Sequence, residues 1–301
     1  MEFRTLRAFV EVVRQGGFSQ AAKAVFTTQS TVSKAVKQLE DEIGLPLFDR
    51  IGHRSVMTAA GEIVYQRGIK LLADRDDLLA ELDEIRGLNR GVLRLGLPSV
   101  GSSTLFAPLL AIYRQRHPGI EIRLVEHGST ELEEILRAGD IDVAGMLAPT
   151  SQEFDWQPVR REPLVVLLPA DHPLGERSSL SLADLKDLPF ILFDGGFALH
   201  RLVLERSRKA GFEPTIAAES SQTDFMVELV GAGMGVTFLP RMLAAQSPHP
   251  AVREVLLGEP NMAWVMCVAW RRSGYLSDAA KAWLELVREV HQSAIDKPGR
   301  D

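Results

Sequence analysis

Apolar residues recur at helical spacing close to the start of the chain. Val32, Ala35, Val36, Leu39 and Ile43 fall at positions i, i+3, i+4, i+7 and i+11, which predicts an amphipathic helix with one buried face. The opposite face carries short polar and basic side chains, some of which weaken an exposed helix. Such groups can approach another surface closely, read base edges and hold phosphates. A polar face that is only solvated is the alternative for this helix alone, and the residues that precede it favour a DNA-binding helix.

A shorter helix is predicted directly before it, over residues 19–26, with Ser19 as its N-cap. Residues 27–28 alone separate the two helices, a spacing typical of a helix-turn-helix. Upstream, Leu6, Phe9, Val10 and Val13 predict a third helix that closes a small core. Downstream, residues 47–50 and 55–58 read as two short strands, which completes a winged helix-turn-helix. The residues predicted to contact DNA from the helix and the wing are Thr28, Gln29, Ser30, Thr31, Ser33, Lys34, Lys37, Arg50, His53 and Arg54.

A long helix is predicted over residues 59–86, which contain no proline. Its apolar residues recur every seven positions, and the predicted dimer contacts are Val64, Leu71, Leu78, Leu82 and Ile85. Such a helix would be roughly 42 Å long, too long for one small domain to cover. A core helix of a larger domain is the alternative, but the charged opposite face favours a dimer-forming coiled coil.

From residue 91 onwards, predicted strands alternate with predicted helices. The strands are residues 92–97, 120–125, 143–147, 164–168, 190–193, 215–218, 236–239 and 262–270, and the helices include 105–116, 132–138 and 277–291. This alternation predicts parallel sheets with helices on both faces.

Hydroxyl side chains cluster where predicted strands give way to helices. Ligands of open α/β sheets sit outside the carboxyl ends of the strands, where helix N-termini offer N–H groups to an anion. The predicted effector contacts are Ser99, Val100, Ser102, Ser129, Thr130, Phe197 and Thr223, with Trp156, His200 and Arg201 as further wall or charge candidates. Each hydroxyl residue could instead be a simple N-cap.

The charge distribution agrees with a DNA-binding N-terminus, and the residue pattern does not indicate catalysis. The 301 residues carry a net charge of −6, but residues 1–60 hold eight Lys/Arg against six Asp/Glu, so the basic charge lies with the motif. The seven histidines are scattered without ligand spacing and no nucleophile constellation stands out, so neither a metal, a cofactor nor an enzyme is predicted. Cys267 lies in an apolar segment and is predicted to be structural. A charged N-terminus and the lack of a long apolar run predict a cytoplasmic protein without a membrane partner.

Several motifs of the first sixty residues closely resemble the DNA-binding domain of LysR-type transcriptional regulators. They are Gly16 to Val25, Thr28 to Lys34, Gln38 to Glu40, Gly44 to Arg50 and Thr58 to Gly61. Ser30 stands where a proline is frequent and Lys34 where an arginine is frequent; a lysine is more suited to phosphate than to bidentate guanine recognition.

The resemblance implies an α/β chain in three parts. These are a winged helix-turn-helix at residues 1–58, a linker helix at 59–88 and a two-lobed, periplasmic-binding-protein-like effector domain at 89–301. Lobe I would comprise about 91–162 and 268–295 and lobe II about 163–267, with strand crossovers near 161–164 and 267–270.

The implied function is ligand-responsive transcription regulation. The protein would be a homodimer, or a dimer of dimers, that binds an interrupted palindrome in double-stranded DNA and senses a small, carboxylate-bearing metabolite. RNA polymerase is a further candidate partner. The alternative functions are a constitutive DNA-binding protein whose C-terminal domain only oligomerises, and a solute-binding protein, which the charged N-terminus disfavours.

Overall fold

A computed structural model describes residues 1–51, 54–85, 91–148, 151–260 and 262–295 of the protein. The chain divides into two compact units. The N-terminal unit comprises Met1–Gly87 with Arg137–Asp140, and the C-terminal unit comprises Leu88–Leu136 and Ile141–Asp301.

The N-terminal unit contains three helices, a β-hairpin and a long fourth helix. Its elements are α1 (Phe3–Arg14), α2 (Phe18–Ala24), α3 (Gln29–Ile43), β1 (Phe48–Ile51), β2 (Arg54–Met57) and α4 (Ala59–Ile85). The predicted winged helix-turn-helix is therefore confirmed. One detail differs: α2 begins at Phe18, so Ser19 lies inside its first turn and Gly17 holds the N-cap position.

Capping residues fix both ends of α3. The Thr28 hydroxyl accepts a hydrogen bond from the Thr31 N–H at 3.3 Å, which satisfies one of the free donors at the helix start. Gly44 ends the helix at a φ of 77°, a left-handed conformation that glycine adopts without a steric penalty. The apolar face between these caps is buried, as its spacing predicts, through Val32, Ala35, Val36 and Leu39.

Glu40 attaches the hairpin to α3. Its carboxylate accepts hydrogen bonds from the backbone N–H groups of Leu47 and Phe48, at 2.8 and 3.4 Å. The Phe48 ring then packs against Phe9 and Phe18, with ring centroids 5.3 and 5.6 Å away. These polar and apolar contacts together fix the position of the wing beside the recognition helix.

The C-terminal unit is an α/β structure. Its strands are β3 (Val92–Pro98), β4 (Glu121–His127), β5 (Val143–Leu147), β6 (Phe154–Pro169), β7 (Ser179–Leu180), β8 (Phe190–Phe193), β9 (Ile216–Ser220), β10 (Thr237–Pro240), β11 (Val252–Leu257) and β12 (Ala263–Arg271). Its α-helices are α5 (Ser102–Leu105), α6 (Ala107–Arg116), α7 (Ser129–Arg137), α8 (Ala198–Lys209), α9 (Thr223–Gly231), α10 (Arg241–Ala244) and α11 (Asp278–Ile295). Single 3₁₀ turns lie at Pro173–Glu176 and Leu182–Leu185.

The main sheet is mixed, so the prediction of parallel sheets is wrong in part. Its order is β4-β3-β5-β12-β6-β11-β7, with β10 also paired to β6. β3 is parallel to β4 and β5, whereas β12 and β6 run antiparallel to each other. β8 and β9 form a separate parallel pair.

The long strand β6 passes from one lobe to the other. Its first part, Phe154 to Pro163, pairs with β12, and its second part, from Leu164, pairs with β10 and β11. Strand β6 changes partners between Pro163 and Leu164, within the segment predicted for the first crossover. The return near residues 267–270 is wrong, because β12 already pairs with β6 at Ala263 and with β5 from Met266. The return lies before β12, after β11 ends at Leu257.

Candidate DNA-binding surface and effector cleft

Most of the predicted DNA contacts of α3 are exposed. They are Gln29, Ser30, Thr31, Lys34 and Lys37, whereas Ser33 is half-buried. Thr28 is also exposed, but its hydroxyl caps the helix and lies 2.9 Å from the Ser30 hydroxyl, so its first role is to hold the helix start. The placement leaves Gln29 and Ser30 at the tip of the helix.

Lys37 has a neighbour of opposite charge. Its ammonium group lies 2.9 Å from the Asp41 carboxylate, one turn further along α3. The hydrogen bond to Asp41, with the charge of the same group, raises the pKa of Lys37. Both side chains are exposed and such pairs contribute little to stability, so Lys37 can exchange Asp41 for a phosphate.

The wing residues are placed only through their backbone. The hairpin register pairs Arg50 with Ser55 and Ile51 with Arg54. His53 lies outside the described residues.

Helix α4 has two apolar faces. One face packs against α1 through buried Ile69, Leu72 and Ala73, and Gly68 lies so close to Leu6 that a Cβ atom there would come within 2.8 Å of its Cδ1. The other face leaves apolar side chains exposed; they are Leu71, Leu78, Leu79 and Leu82. Of the predicted dimer contacts, Val64 is half-buried against the core of its own unit, and Ile85 is the last residue of the helix.

The parallel arrangement of β3 and β4 brings two of the hydroxyl clusters to one edge of the sheet. β3 ends at Pro98 and β4 at His127, and α5 and α7 begin a few residues later. A cavity of about 20 Å³ lies there, between the two lobes. Its lining is Pro98, Val100, Ser129, Leu147, Phe193, Phe197, Ala198, Leu199, Trp264 and Met266.

The structure brings only some of the predicted effector residues to this cavity. Val100, Ser129 and Phe197 line it, and Phe197 stacks on Phe193 with ring centroids 5.2 Å apart. Ser102 is buried and its hydroxyl donates to the Pro98 carbonyl, so it serves the turn instead. Ser99 is exposed in that turn.

Two further candidates lie elsewhere. Thr223 begins α9 as a half-buried residue and is absent from the described cavity lining. Trp156 is exposed on β6 beside Ala269 of β12. Trp264 and Met266 are two of the wall residues that were not predicted from the sequence, because their β12 pattern is that of any buried strand.

A polar contact closes the rim of the cavity. Arg201 donates from Nη1 to the Thr130 hydroxyl at 2.6 Å, and the Thr130 N–H points to the Gly196 carbonyl at 3.5 Å. The close approach of the backbone at residue 128 to Gly196 requires a glycine, because a Cβ atom at position 128 would lie 2.7 Å from the Gly196 oxygen. Arg201 thus joins lobe II to the start of α7 in lobe I.

His200 precedes Arg201 on α8. It is 9% exposed, and its ring nitrogens find no hydrogen-bond partner among the described residues. Its Nε2 atom is 3.6 Å from the Glu219 carboxylate. The His200 ring therefore packs against the loop at Gly195, and its position does not depend on a charge contact.

Other chemistry is sparse in the described part of the chain. Within these ranges, no three His, Cys, Asp or Glu side chains come together so as to hold a metal ion. None of the helices described combines the length and hydropathy that a membrane span needs. Cys267 is buried and donates to the Met146 carbonyl, and burial raises the pKa of its thiol to about 12, as a structural cysteine requires.

Two family models match the chain. The model described as bacterial regulatory helix-turn-helix protein, lysR family, matches residues 3–62. The model described as LysR substrate binding domain matches residues 86–292.

Similar proteins extend over the whole chain. An uncharacterized HTH-type transcriptional regulator of Bacillus subtilis (strain 168), YwbI, is 34% identical over 286 residues, which cover 95% of either chain. The HTH-type transcriptional regulator BudR of Raoultella terrigena is 32% identical and covers 90% of this chain and 95% of its own. HinK, a LysR family transcriptional regulator from Pseudomonas aeruginosa, has a similar crystal structure, with a TM-score of 0.57, 26% identity and coverage of 96% of this chain and 98% of its own. This protein therefore belongs to the LysR family of DNA-binding, ligand-responsive transcriptional regulators.

Proposed function

We propose that the protein regulates transcription in response to a small, carboxylate-bearing metabolite bound between its two effector lobes. The observation that carries this proposal is the 2.6 Å hydrogen bond from Arg201 to Thr130 at the cleft rim. In this bond the cationic guanidinium of Arg201 donates to a neutral hydroxyl. A carboxylate would accept a charge-assisted bond from the same guanidinium, roughly twice as strong as a bond between neutral groups.

The start of α7 offers the complementary donors. Thr130 is its second residue, and free N–H groups with positive partial charge lie at such helix ends. The contact from the Thr130 N–H to Gly196 is 3.5 Å long, so it is a weak bond that a carboxylate oxygen can replace. One carboxylate would then satisfy both Thr130 and Arg201.

The apolar part of the ligand would contact the cavity walls. Val100, Phe197 and Trp264 supply apolar surface there, whereas the present cavity of about 20 Å³ holds roughly one water molecule. A metabolite therefore has to separate the lobes, which links its binding to their relative position. The ligand would then bind the arrangement with separated lobes more tightly than the arrangement with closed lobes. A regulatory ligand needs such a difference in affinity between two states.

Arg201→Gln should weaken the binding of carboxylates more than Thr130→Ala does. We expect a loss of about 1.5–3 kcal/mol for Arg201→Gln, because the bond is to a charged group, and about 0.5–1.5 kcal/mol for Thr130→Ala. Calorimetric titration of the full-length protein, with carboxylic acids preselected by thermal shift, measures both losses. Each acid is compared with its neutral amide.

Arg208→Gln is the matched control for this titration. Arg208 lies on the same helix, α8, and its exposed side chain pairs with Glu213 at 3.4 Å. Its variant should bind like the wild type. A carboxylate that binds wild type and Arg201→Gln equally well places the ligand elsewhere.

We further propose that two recognition helices of a homodimer, or of a dimer of dimers, read an interrupted palindrome. The exposed polar side of α3 and the exposed leucines of α4 support this assembly. RNA polymerase is then a partner at the promoter, and the cytoplasm is the location where these partners meet. Selection of binding sequences from random duplexes by the full-length protein is the test; an enriched pair of inverted half-sites is expected.

A further inference from the structure

Phe26, in the turn between α2 and α3, combines two unfavourable properties. Its φ is +52°, and its side chain is 97% exposed. It occupies the residue after the C-cap of α2: its N–H bonds to the Lys23 carbonyl at 3.2 Å and the Thr27 N–H to the Ala22 carbonyl at 2.9 Å. This is the Schellman arrangement, whose left-handed residue is usually glycine and sometimes asparagine.

The fold therefore gives no reason for an aromatic residue at this position. A Cβ atom makes the left-handed conformation unfavourable, and an exposed ring recovers none of this free energy by burial. Residues held in an unfavourable backbone conformation cluster at binding and catalytic sites. The ring of Phe26 is available to a partner molecule.

Phe26 borders a groove of about 630 Å³ within the N-terminal unit. The groove runs between α1 and α3, and its lining is Arg4, Arg7, Ala8, Val25, Phe26, Thr27, Thr31, Val32, Lys34, Ala35 and Gln38. This lining contains three cationic side chains and no carboxylate. Arg7 also pairs with Asp76 at 2.9 Å, outside the lining, whereas Arg4 is 80% exposed and lies 4.0 Å from Glu2.

The groove is continuous with the predicted recognition surface. The groove and the recognition surface share Thr31 and Lys34, which line the groove on its α3 side. A partner that lies along α3 would reach the groove without leaving the protein surface. An anionic partner would meet Arg4 and Lys34 there, and the apolar ring of Phe26 at its edge.

We infer that the groove between α1 and α3 is a further DNA contact, which extends the recognition surface of α3 to Arg4 and Phe26. Arg4 and Lys34 would hold phosphates of the strand that flanks the half-site, and the Phe26 ring would lie against deoxyribose. Phosphate and sugar contacts of this kind position a protein on the duplex without reading its sequence. The inference rests on the proposed function, because it needs α3 to bind double-stranded DNA.

Substitution of Phe26 separates this role from a structural one. Asparagine tolerates the left-handed conformation better than phenylalanine, so Phe26→Asn should not lower the Tm of the full-length protein. We expect it to bind both the selected duplex and a random duplex about five- to tenfold more weakly. Phe26→Tyr keeps the ring and should bind within about twofold of the wild type.

Arg4→Gln tests the electrostatic half of the groove. The slope of log K against log salt is negative, and the loss of one phosphate contact should make it less steep by about one per subunit. Arg67→Gln is the control, because Arg67 is an exposed arginine of the same unit on α4 and is absent from the lining. Its slope should equal that of the wild type.

The outcomes are distinct. If Phe26→Asn and Arg4→Gln both bind the two duplexes as the wild type does, the groove does not contact DNA, and its exposed ring serves a protein partner instead. If the wild type itself selects no sequence from random duplexes, the proposed function fails before the groove is tested.

Discussion

Full-length protein that carries both Leu71→Asp and Leu78→Asp is expected to sediment as a monomer. Leu71 and Leu78 lie seven residues apart on the side of α4 that does not pack against α1, and Leu78 is 56% exposed. A carboxylate at either position would be buried without a partner in the proposed dimer, which is costly. The monomeric double mutant should stay folded, since neither leucine belongs to the core of its own unit.

The loss of the dimer should also appear as a loss of DNA affinity. Two linked recognition helices bind a palindrome with an effective concentration that raises affinity about 10²- to 10⁴-fold over one helix alone. Gln66→Asp is the control: it adds the same charge to the same helix, about 140° around the axis from Leu71, where the side chain is exposed. A double mutant that remains dimeric at micromolar concentration would show that α4 is not the main interface.

The helix-turn-helix was predictable because each local signal agrees with the others. The apolar spacing of α3, the cap at Thr28 and the left-handed glycine at position 44 are all determined within a short stretch of sequence. Ser33 shows the limit of this reasoning. Its place on the helix face was predictable, but its half-buried state depends on how neighbouring elements pack.

The mixed sheet was not predictable from alternating strands and helices. Strand direction in β6 and β12 depends on pairing between residues far apart in the chain, such as Pro163 with Ala263. Periodicity identifies a buried strand without giving its direction. Short elements such as β7, at Ser179–Leu180, carry too few residues for any pattern.

The effector cleft was predictable in outline only. The rule that ligands sit at strand ends predicts Ser129 and Thr130 as effector contacts; Ser129 lines a cavity, and Thr130 accepts a hydrogen bond from Arg201. The same rule cannot tell a hydroxyl that faces the cleft from one that closes a turn. Ser102 is of the second kind, since its hydroxyl donates to the Pro98 carbonyl.

Gln29→Ala should reduce binding to the selected duplex far more than binding to a random duplex. Gln29 is exposed in the first turn of α3, where base edges are reached, and glutamine can pair with adenine in the major groove. A lost base contact costs about 1–3 kcal/mol. Because a dimer presents Gln29 twice to a palindrome, the loss should be about 2–6 kcal/mol per dimer when the two half-sites contribute independently. Ser33→Ala should act in the same direction but more weakly, since Ser33 is half-buried.

Lys37→Ala provides the contrast that separates base reading from phosphate binding. Lys37 exchanges its Asp41 neighbour for a phosphate in the proposed complex, so its loss should weaken both duplexes alike and lower the salt slope by about one per subunit. Gln15→Ala, which removes an exposed glutamine at the end of α1, should change neither quantity. Competition binding at several salt concentrations measures all of these variants together. Equal losses on selected and random DNA for Gln29→Ala would remove Gln29 from base readout and leave it, like Lys37, a contact to the backbone.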